Sequence, residues 1–184
     1  VSTGFKRVGS ITVALTEERL EELNRSAAMA RAFDVGIEEI SPNEILEKYP
    51  HINLDKVVGG VFLEKDGQGD PANITLALAK GARQNGANIN EGIKVTKRHK
   101  SGRVVKGVDW VSGSGETGRT SCEMIVNCAG MWGHEVGKMA GVNIPLHACE
   151  HFYIVSEPIE GLSQLPVLRV PDECAYYKED AGKL

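Results

Sequence analysis

The stretch Val111-Ser-Gly-Ser-Gly-Glu-Thr-Gly-Arg119, VSGSGETGR, decides between two folds. Its glycines match the G-x-G-x-x-G pattern of a dinucleotide-binding turn, which needs a strand before it, a helix after it and an acidic residue about 20 positions later. The residues before it alternate as a strand does, but residues 119–126 are again β-rich and have no helical period. Two strands around a Ser/Gly cluster predict a hairpin turn, so this motif does not indicate a nucleotide site.

Three β-rich runs surround this hairpin, at residues 93–99, 103–111 and 119–126. Ser101-Gly102 separates the first two runs and the glycine cluster separates the last two. This succession of strands and turns predicts an antiparallel meander.

A helix is predicted just before the meander, from Pro71 to Asn85. Asp70 is a natural N-cap for it, and Gly86 is a natural residue just past its end. A short strand is expected at 87–90. Helix followed by strand indicates an α/β layer.

The sequence of the first 65 residues predicts two strands and two helices. Residues 9–15 alternate as a strand, and Thr16 caps a helix whose apolar residues recur with helical spacing. Ser41-Pro-Asn-Glu44 is a capping box with proline at the first helical position, and residues 57–63 are again β-like.

Composition excludes several function classes. The net charge of −4 argues against nucleic acid or an anionic membrane as the main partner. The four cysteines are too far apart for a C-x-x-C motif, so a reducing compartment is expected. No signal peptide or membrane-spanning apolar run is present, and the Val1-Ser-Thr-Gly start suggests a piece of a longer protein.

The segment 124–132, Met-Ile-Val-Asn-Cys-Ala-Gly-Met-Trp, predicts an apolar strand that turns into a helix. The helix is expected at about 132–140 and closes on Gly141. Small residues at the carboxyl end of a strand let the backbone pass close to a ligand at the edge of an α/β sheet. A tight turn without function is the alternative.

A β-region is predicted from Leu146 to Val155. Strand alternation would place four polar side chains on one face, namely His147, Cys149, His151 and Tyr153. Three interpretations stay open: a half-exposed sheet face, an active-site wall and a His/Cys metal site, the last disfavoured because such ligands spread beyond the reach of one metal. Tyr176 and Tyr177 would point to opposite faces, so at most one shares a cavity with these side chains.

Seven short stretches occur in an order that spans nearly the whole chain. They are Gly9-Ser-Ile, Ser41-Pro-x-Glu44, Asp66-Gly-x-x-Asp-Pro71 with Ala82-Arg-x-x-Gly86-Ala, Ile125-Val-Asn-Cys-Ala-Gly-x-Trp132, Val136-Gly-Lys-Met-Ala-Gly141, Pro145-Leu-x-x-x-x-His-x-Tyr153 and Leu165-Pro-Val-Leu-Arg169. With them the chain resembles the flavin-dependent amine oxidoreductases of the sarcosine and dimethylglycine dehydrogenase family, which are D-amino-acid oxidase-like.

The resemblance implies FAD as the cofactor and an internal segment of a longer enzyme, whose dinucleotide fingerprint and flavin-linking histidine precede residue 1. The implied fold class is α+β or α/β. A partial FAD-binding domain of glutathione-reductase type, with the antiparallel meander, is expected at 66–145. A mixed-sheet substrate domain is expected in two parts, at 1–65 and 146–184.

The resemblance also implies roles for particular residues. Five would contact FAD, four through backbone and the tryptophan by packing beside it: Val95, Cys128, Ala129, Gly130 and Trp132. Three residues would be catalytic: His151, Tyr153 and Tyr176. Of these, His151 and Tyr153 would position the substrate and help keep its nitrogen deprotonated. No metal is expected.

The implied reaction is oxidation of a methylated amine. Hydride would pass from the methyl carbon to the flavin, and the resulting iminium would hydrolyse to formaldehyde and the demethylated amine. The electron acceptor is left open. The implied location is the bacterial cytoplasm or, in a eukaryote, the mitochondrial matrix.

An alternative comes from residues 145–153, Pro-Leu-His-Ala-Cys-Glu-His-Phe-Tyr, which also resemble the regulatory subunit of pyruvate dehydrogenase phosphatase. That relative acts by binding, so a non-catalytic homologue stays open beside the enzyme. A third possibility is a metal-binding module built on His147, Cys149 and His151.

Overall fold

The computed structural model describes residues 2–102, 104–162 and 164–184. They form two compact units, one running to Ala82 and resuming at Tyr153–Leu184, the other being Arg83–Phe152. Arg103, where the second predicted β-run begins, lies outside the described residues. Within the described part of the chain, no helix combines the length and the apolar character that crossing a membrane requires.

Eight strands and four helices lie in the described residues. The strands are β1 (Ser10–Ala14), β2 (Glu38–Ile40), β3 (Gly59–Leu63), β4 (Ile93–Ser101), β5 (Val104–Ser112), β6 (Thr117–Ser121), β7 (Val167–Val170) and β8 (Ala175–Tyr177). The helices are α1 (Glu17–Ala32), α2 (Pro42–Lys48), α3 (Pro71–Gln84) and α4 (Gly133–Ala140).

The first unit is built on a five-stranded sheet in the order β2-β3-β1-β7-β8. β1 pairs with β7 in parallel, while the other neighbours are antiparallel. Ile11 on the central strand faces Phe62 on one side and Leu168 on the other. The mixed sheet expected for this part of the chain is therefore confirmed.

Two helix starts in this unit follow the sequence signals. The Thr16 side chain accepts a hydrogen bond of 3.2 Å from the Arg19 amide and caps α1. At α2, the Ser41 hydroxyl accepts from the Glu44 amide and the Glu44 carboxylate accepts from the Ser41 amide, which completes the predicted capping box.

The core of the first unit lies between the sheet and α2. Its fully buried side chains include Ile11 and Val13 of β1 and Ile45 of α2, each of which contributes about 1.5–3 kcal/mol by burial. The remaining members are Ile40, Tyr49, Leu165, Leu168 and Val170. This core fixes the end of α2 against β1 and β7.

The second unit contains the antiparallel meander β4-β5-β6, as predicted. The glycine cluster forms the turn between β5 and β6, where the Ser112 amide donates to the Glu116 carbonyl over 2.8 Å. Trp110 Nε1 donates to Thr120 Oγ1 over 3.1 Å and ties the two strands together. The hairpin interpretation of VSGSGETGR is confirmed.

Three predicted strands are not formed. Residues 87–90, 124–127 and 146–155 have no strand conformation, and the third meander strand ends at Ser121 rather than near 126. A strand needs a neighbour to bond its amides and carbonyls. The described residues place no strand beside these segments, so their β-rich sequences stay irregular.

Candidate functional site

The turn that leads into α4 is held by one side chain. Asn127 Nδ2 donates to the Gly133 carbonyl over 2.9 Å, and Asn127 Oδ1 accepts from the Ala129 amide over 3.2 Å. Gly130 adopts a φ of 54°, a left-handed conformation that favours glycine, and no atom lies near the position of an added Cβ. The predicted strand before this turn is absent, but the tight turn into the helix is present.

α4 packs closely on the segment that follows it. Gly141 has a φ of 69° and ends the helix as predicted, and the Val142 amide donates to the Gly137 carbonyl over 3.0 Å. His134 Nδ1 donates to the Ile144 carbonyl over 2.7 Å, so the segment after α4 runs back along the helix. These hydrogen bonds hold residues 142–144 against α4.

This turn presents an aromatic ring and small residues to solvent. Trp132 caps the helix without a side-chain hydrogen bond and is 60% exposed, so a flat apolar ring is presented to solvent. Beside it, Cys128 is exposed, Ala129 is half-buried and Gly130 leaves open space. Small side chains and accessible backbone are what close approach of a dinucleotide requires.

The five predicted FAD residues fall into two places of the second unit. Four of them, Cys128, Ala129, Gly130 and Trp132, form the turn just described. Val95 lies on β4, partly exposed, opposite Trp110 of β5. Their contact with FAD stays a prediction.

A cavity of about 460 Å³ lies in the first unit. Val13 of β1 together with Leu168 and Val170 of β7 forms an apolar wall, and the loop 51–57 after α2 contributes the opposite side. Tyr49 and Tyr177 also line it. Its size lies within the range of small-molecule sites, but polar and charged residues make up half of its lining.

Tyr49 is the buried polar group of this cavity. It is 3% exposed. Burial raises the pKa of the Tyr49 phenol, and the neighbouring Tyr177 phenol raises it further. The hydroxyl therefore stays protonated at neutral pH and can donate to a ligand.

Charged side chains surround the cavity. Lys56 and Glu173 form no ion pair with any described residue, whereas Asp55 Oδ2 accepts a hydrogen bond of 3.3 Å from Asn53 Nδ2. His51 is the remaining titratable group. A ligand that carries both a carboxylate and an amine would find opposite charges here.

The predicted catalytic residues His151 and Tyr153 lie in the irregular segment after α4. Both are exposed, with Tyr153 at 86%. The predicted strand that would carry them with His147 and Cys149 is not formed in the described residues. The catalytic roles of His151 and Tyr153 stay predictions.

Tyr176 and Tyr177 lie on β8 and point to opposite faces of the sheet. Tyr177 pairs with Leu168 and lines the cavity, whereas Tyr176 pairs with Arg169 and is 70% exposed on the other face. Tyr177 is thus the one of the two that lines this cavity. The catalytic role of Tyr176 stays a prediction.

Sequence reasoning missed the cavity residues Tyr49 and Lys56, whereas it named Tyr177 only as the alternative to Tyr176. The Tyr49-Pro50 pair signals the end of α2, which conceals that Tyr49 is also buried. For the metal alternative, no group of three His, Cys, Asp or Glu within residues 2–102, 104–162 and 164–184 is arranged to hold an ion. The four cysteines are free thiols.

Comparisons with a family model and with known proteins agree on the family of this chain. The family model described as DAO, FAD dependent oxidoreductase, matches residues 1–184. Mitochondrial sarcosine dehydrogenase of Homo sapiens is 36% identical over 181 residues, covering 96% of this chain and 19% of that protein. The mitochondrial pyruvate dehydrogenase phosphatase regulatory subunit of Mus musculus is 36% identical over 160 residues. That match covers 86% of this chain and 18% of that protein.

Among solved structures, L-proline dehydrogenase from P. horikoshii superimposes with a TM-score of 0.80 at 22% identity. The match covers 97% of this chain and 48% of that one, and it shows a shared fold. The chain spans about a fifth of the length of the curated relatives it matches.

Proposed function

Because the chain belongs to the DAO family of FAD dependent oxidoreductases, we propose that the protein containing it demethylates an N-methyl amino acid, sarcosine or dimethylglycine, with FAD as oxidant. The observation that carries this proposal is the 36% identity to a sarcosine dehydrogenase over 96% of the chain.

The turn Cys128–Gly130 would hold FAD through backbone, with Trp132 packed beside it and Val95 as a further contact. The exposed ring of Trp132 and the open space at Gly130 support this placement. We assign residues 66–145 to the FAD-binding domain, and residues 1–65 and 146–184 to the substrate domain. Asn127 would keep the turn in shape through its two hydrogen bonds.

The substrate would lose a hydride from its methyl carbon, and FAD supplies the hydride acceptor when bound. Water then adds to the iminium carbon, and the adduct breaks into formaldehyde and the demethylated amine. The chain's own task is to orient the amine and exclude water from it.

His151 and Tyr153 are proposed to position the amine from the substrate side, and Tyr176 is a third candidate. Their exposed side chains make no hydrogen bond to other described residues, which leaves them available to a substrate. We expect His151→Ala to raise the KM for the amine more than it lowers kcat, because a positioning residue acts mainly on binding.

The test is the visible spectrum of the purified protein containing this chain. A bound flavin that bleaches on anaerobic addition of sarcosine or dimethylglycine supports the proposal and ranks the two amines. A flavin that neither amine bleaches would contradict it. Glycine, which lacks the methyl group, is the matched control and should leave the spectrum unchanged.

A non-catalytic role is the second candidate, because the phosphatase regulatory subunit has the same 36% identity to this chain as the dehydrogenase, over 160 rather than 181 residues. It predicts a protein that binds a partner and oxidises no amine. Purified protein without flavin absorbance would favour it, whereas turnover of either amine would exclude it.

A further inference from the structure

The pair Asn85-Gly86 forms the exposed end of α3. Asn85 is the first residue after the helix, and Gly86 has a φ of 86°, a left-handed conformation that favours glycine. Both residues are exposed, and apart from the two chain neighbours of Gly86 no atom of the described residues lies within 4 Å of a Cβ added there. The backbone nitrogen of Gly86 is therefore open on the side where other residues carry a side chain.

An asparagine that precedes such a nitrogen can react with it. The Gly86 nitrogen attacks the side-chain carbon Cγ of Asn85, so that an N–C bond forms while the bond between Cγ and Nδ2 breaks. Nδ2 leaves as ammonia and takes the proton of the Gly86 amide. Water then opens the cyclic imide at either of its carbonyl groups, which leaves aspartate or isoaspartate at position 85. This chemistry makes asparagine a thermolabile residue.

Two asparagines of the same loop lack this arrangement. Asn88 and Asn90 are also exposed and lie in the irregular stretch that follows α3. They precede Ile89 and Glu91, whose side chains crowd the attacking nitrogen. Of the nine asparagines in the sequence, only Asn85 precedes a glycine. Exposure is thus common to the three residues, and the glycine at the next position distinguishes Asn85.

One hydrogen bond opposes the reaction. The Gly86 amide donates to the Arg83 carbonyl over 3.1 Å, and its nitrogen does not attack while that bond is made. The bond belongs to the last turn of a helix, where the free energy of local opening is close to zero. Arg83 and Glu91 form an ion pair across the loop, with 3.0 Å between Nη2 and Oε1, but such an exposed pair adds little stability. The native fold therefore leaves the reaction accessible.

We propose that Asn85 is a modification site, at which the folded protein deamidates without an enzyme, and that the new carboxylate loosens the end of α3. A negative charge is unfavourable at the C-terminal end of a helix, because the unpaired carbonyls there already carry partial negative charge. This inference is independent of the proposed function, since neither FAD nor a substrate takes part in the reaction.

The first test follows the modification in the purified protein that contains this chain. After incubation at mildly alkaline pH, digestion with trypsin yields one peptide, residues 84–94, that contains all three asparagines of the loop. Fragment masses assign the conversion of amide to acid to one position, and a sample digested before incubation corrects for conversion during digestion. We expect Asn85 to convert at least about 10-fold faster than Asn88 or Asn90. Equal rates at the three positions, or no conversion at Asn85, would overturn the inference.

A comparison with unfolded protein isolates the contribution of the fold. In denaturant, the local sequence alone sets the rate at Asn85. We expect the native rate to lie within about 10-fold of this rate, because the last turn of α3 opens easily. Conversion in denaturant alone would show that the hydrogen bond of Gly86 protects the site, and the inference would fail. Asn85→Gln, which keeps an amide on a longer side chain, should abolish the conversion.

Amide hydrogen exchange measures the effect on α3. Asn85→Asp carries the charge of the product, so we expect about 3-fold faster exchange in the last turn of the helix than in wild type. Asn88→Asp is the matched control, because it adds the same charge in the loop beyond the helix, and it should leave this exchange unchanged. Equal exchange in the two variants would contradict the effect assigned to the new carboxylate.

Discussion

Arg19 and Asp172 form an ion pair that joins α1 to the turn between β7 and β8, with 2.8 Å between Nε and Oδ1. The same carboxylate accepts a hydrogen bond of 2.9 Å from the Leu15 amide. The Arg19 guanidinium, helped by this amide, holds the pKa of the Asp172 carboxyl below its ordinary value. One side chain thus ties the start of the first unit to its last two strands.

Asp172→Asn should lower the melting temperature by roughly 2–4 °C, because it removes the charge that Arg19 binds while keeping the shape. Asp34→Asn is the matched control, since Asp34 is exposed, has no ion pair among the described residues and has a φ that asparagine tolerates. Equal melting temperatures of the two variants would contradict this role of Asp172.

The meander carries a second acidic group whose charge matters. Arg119 Nε lies 2.8 Å from Asp109 Oδ1. His99 Nε2 lies 2.7 Å from Oδ2 of the same carboxylate, but the two groups are not aligned for a hydrogen bond. Arg119, and then His99, holds the pKa of the Asp109 carboxyl below its ordinary value. Because the folded pKa is the lower one, the stabilisation is complete above the unfolded pKa of about 3.9 and is lost as pH falls through the folded value.

Asp109→Asn should therefore melt at a lower temperature than wild type near neutral pH, and the difference should shrink as pH falls below the unfolded pKa of about 3.9 and through the lower folded pKa. Melting curves at several pH values measure this. A difference that stays constant down to that range would show that charge is not the cause.

Close packing on α4 gives a third prediction. A Cβ added to Gly137 would lie 2.7 Å from Ile144 Cδ1 and 3.0 Å from the Val142 carbonyl oxygen. Gly137→Ala should therefore cost about 1–3 kcal/mol in the free energy of unfolding. Gly81→Ala in α3 is the control of opposite sign: apart from its chain neighbours and the backbone of its own helix, no atom of the described residues lies within 4 Å of its added Cβ, so a gain of up to about 1 kcal/mol is expected.

Asn127 links the turn to the proposed cofactor. Asn127→Ala removes both hydrogen bonds of the turn, so we expect the Kd for FAD to rise about 10-fold in a flavin fluorescence titration. Asn143→Ala, an exposed change close to the same helix, should leave the Kd unchanged. Identical affinities in both variants would argue against FAD at this turn.

The local signals of the sequence predicted a good part of the fold. Thr16 and Ser41 each bond an amide within a few residues, and the glycine cluster forms a turn within its own hairpin, so these features depend only on nearby chain. The strand predicted at 146–155 is not formed, because a strand also needs a distant neighbour to pair with, and composition does not reveal that neighbour.

The site was less predictable than the fold. Alternation correctly separates Tyr176 from Tyr177, but it does not say which face of the sheet carries the cavity. Tyr49 is hidden for a similar reason, because its burial depends on β1 and β7 rather than on residues near it. Only tertiary packing brings these groups together.

The parallel pairing of β1 with β7 has a consequence for biosynthesis. Leu15 and its bonding partner Asp172 are separated by 157 positions, so at 5–20 residues per second a ribosome needs roughly 10–30 s to connect them. Until then one edge of β1 has no neighbour and can pair with a foreign strand. A nascent chain stalled before β7 is thus an expected client for chaperones.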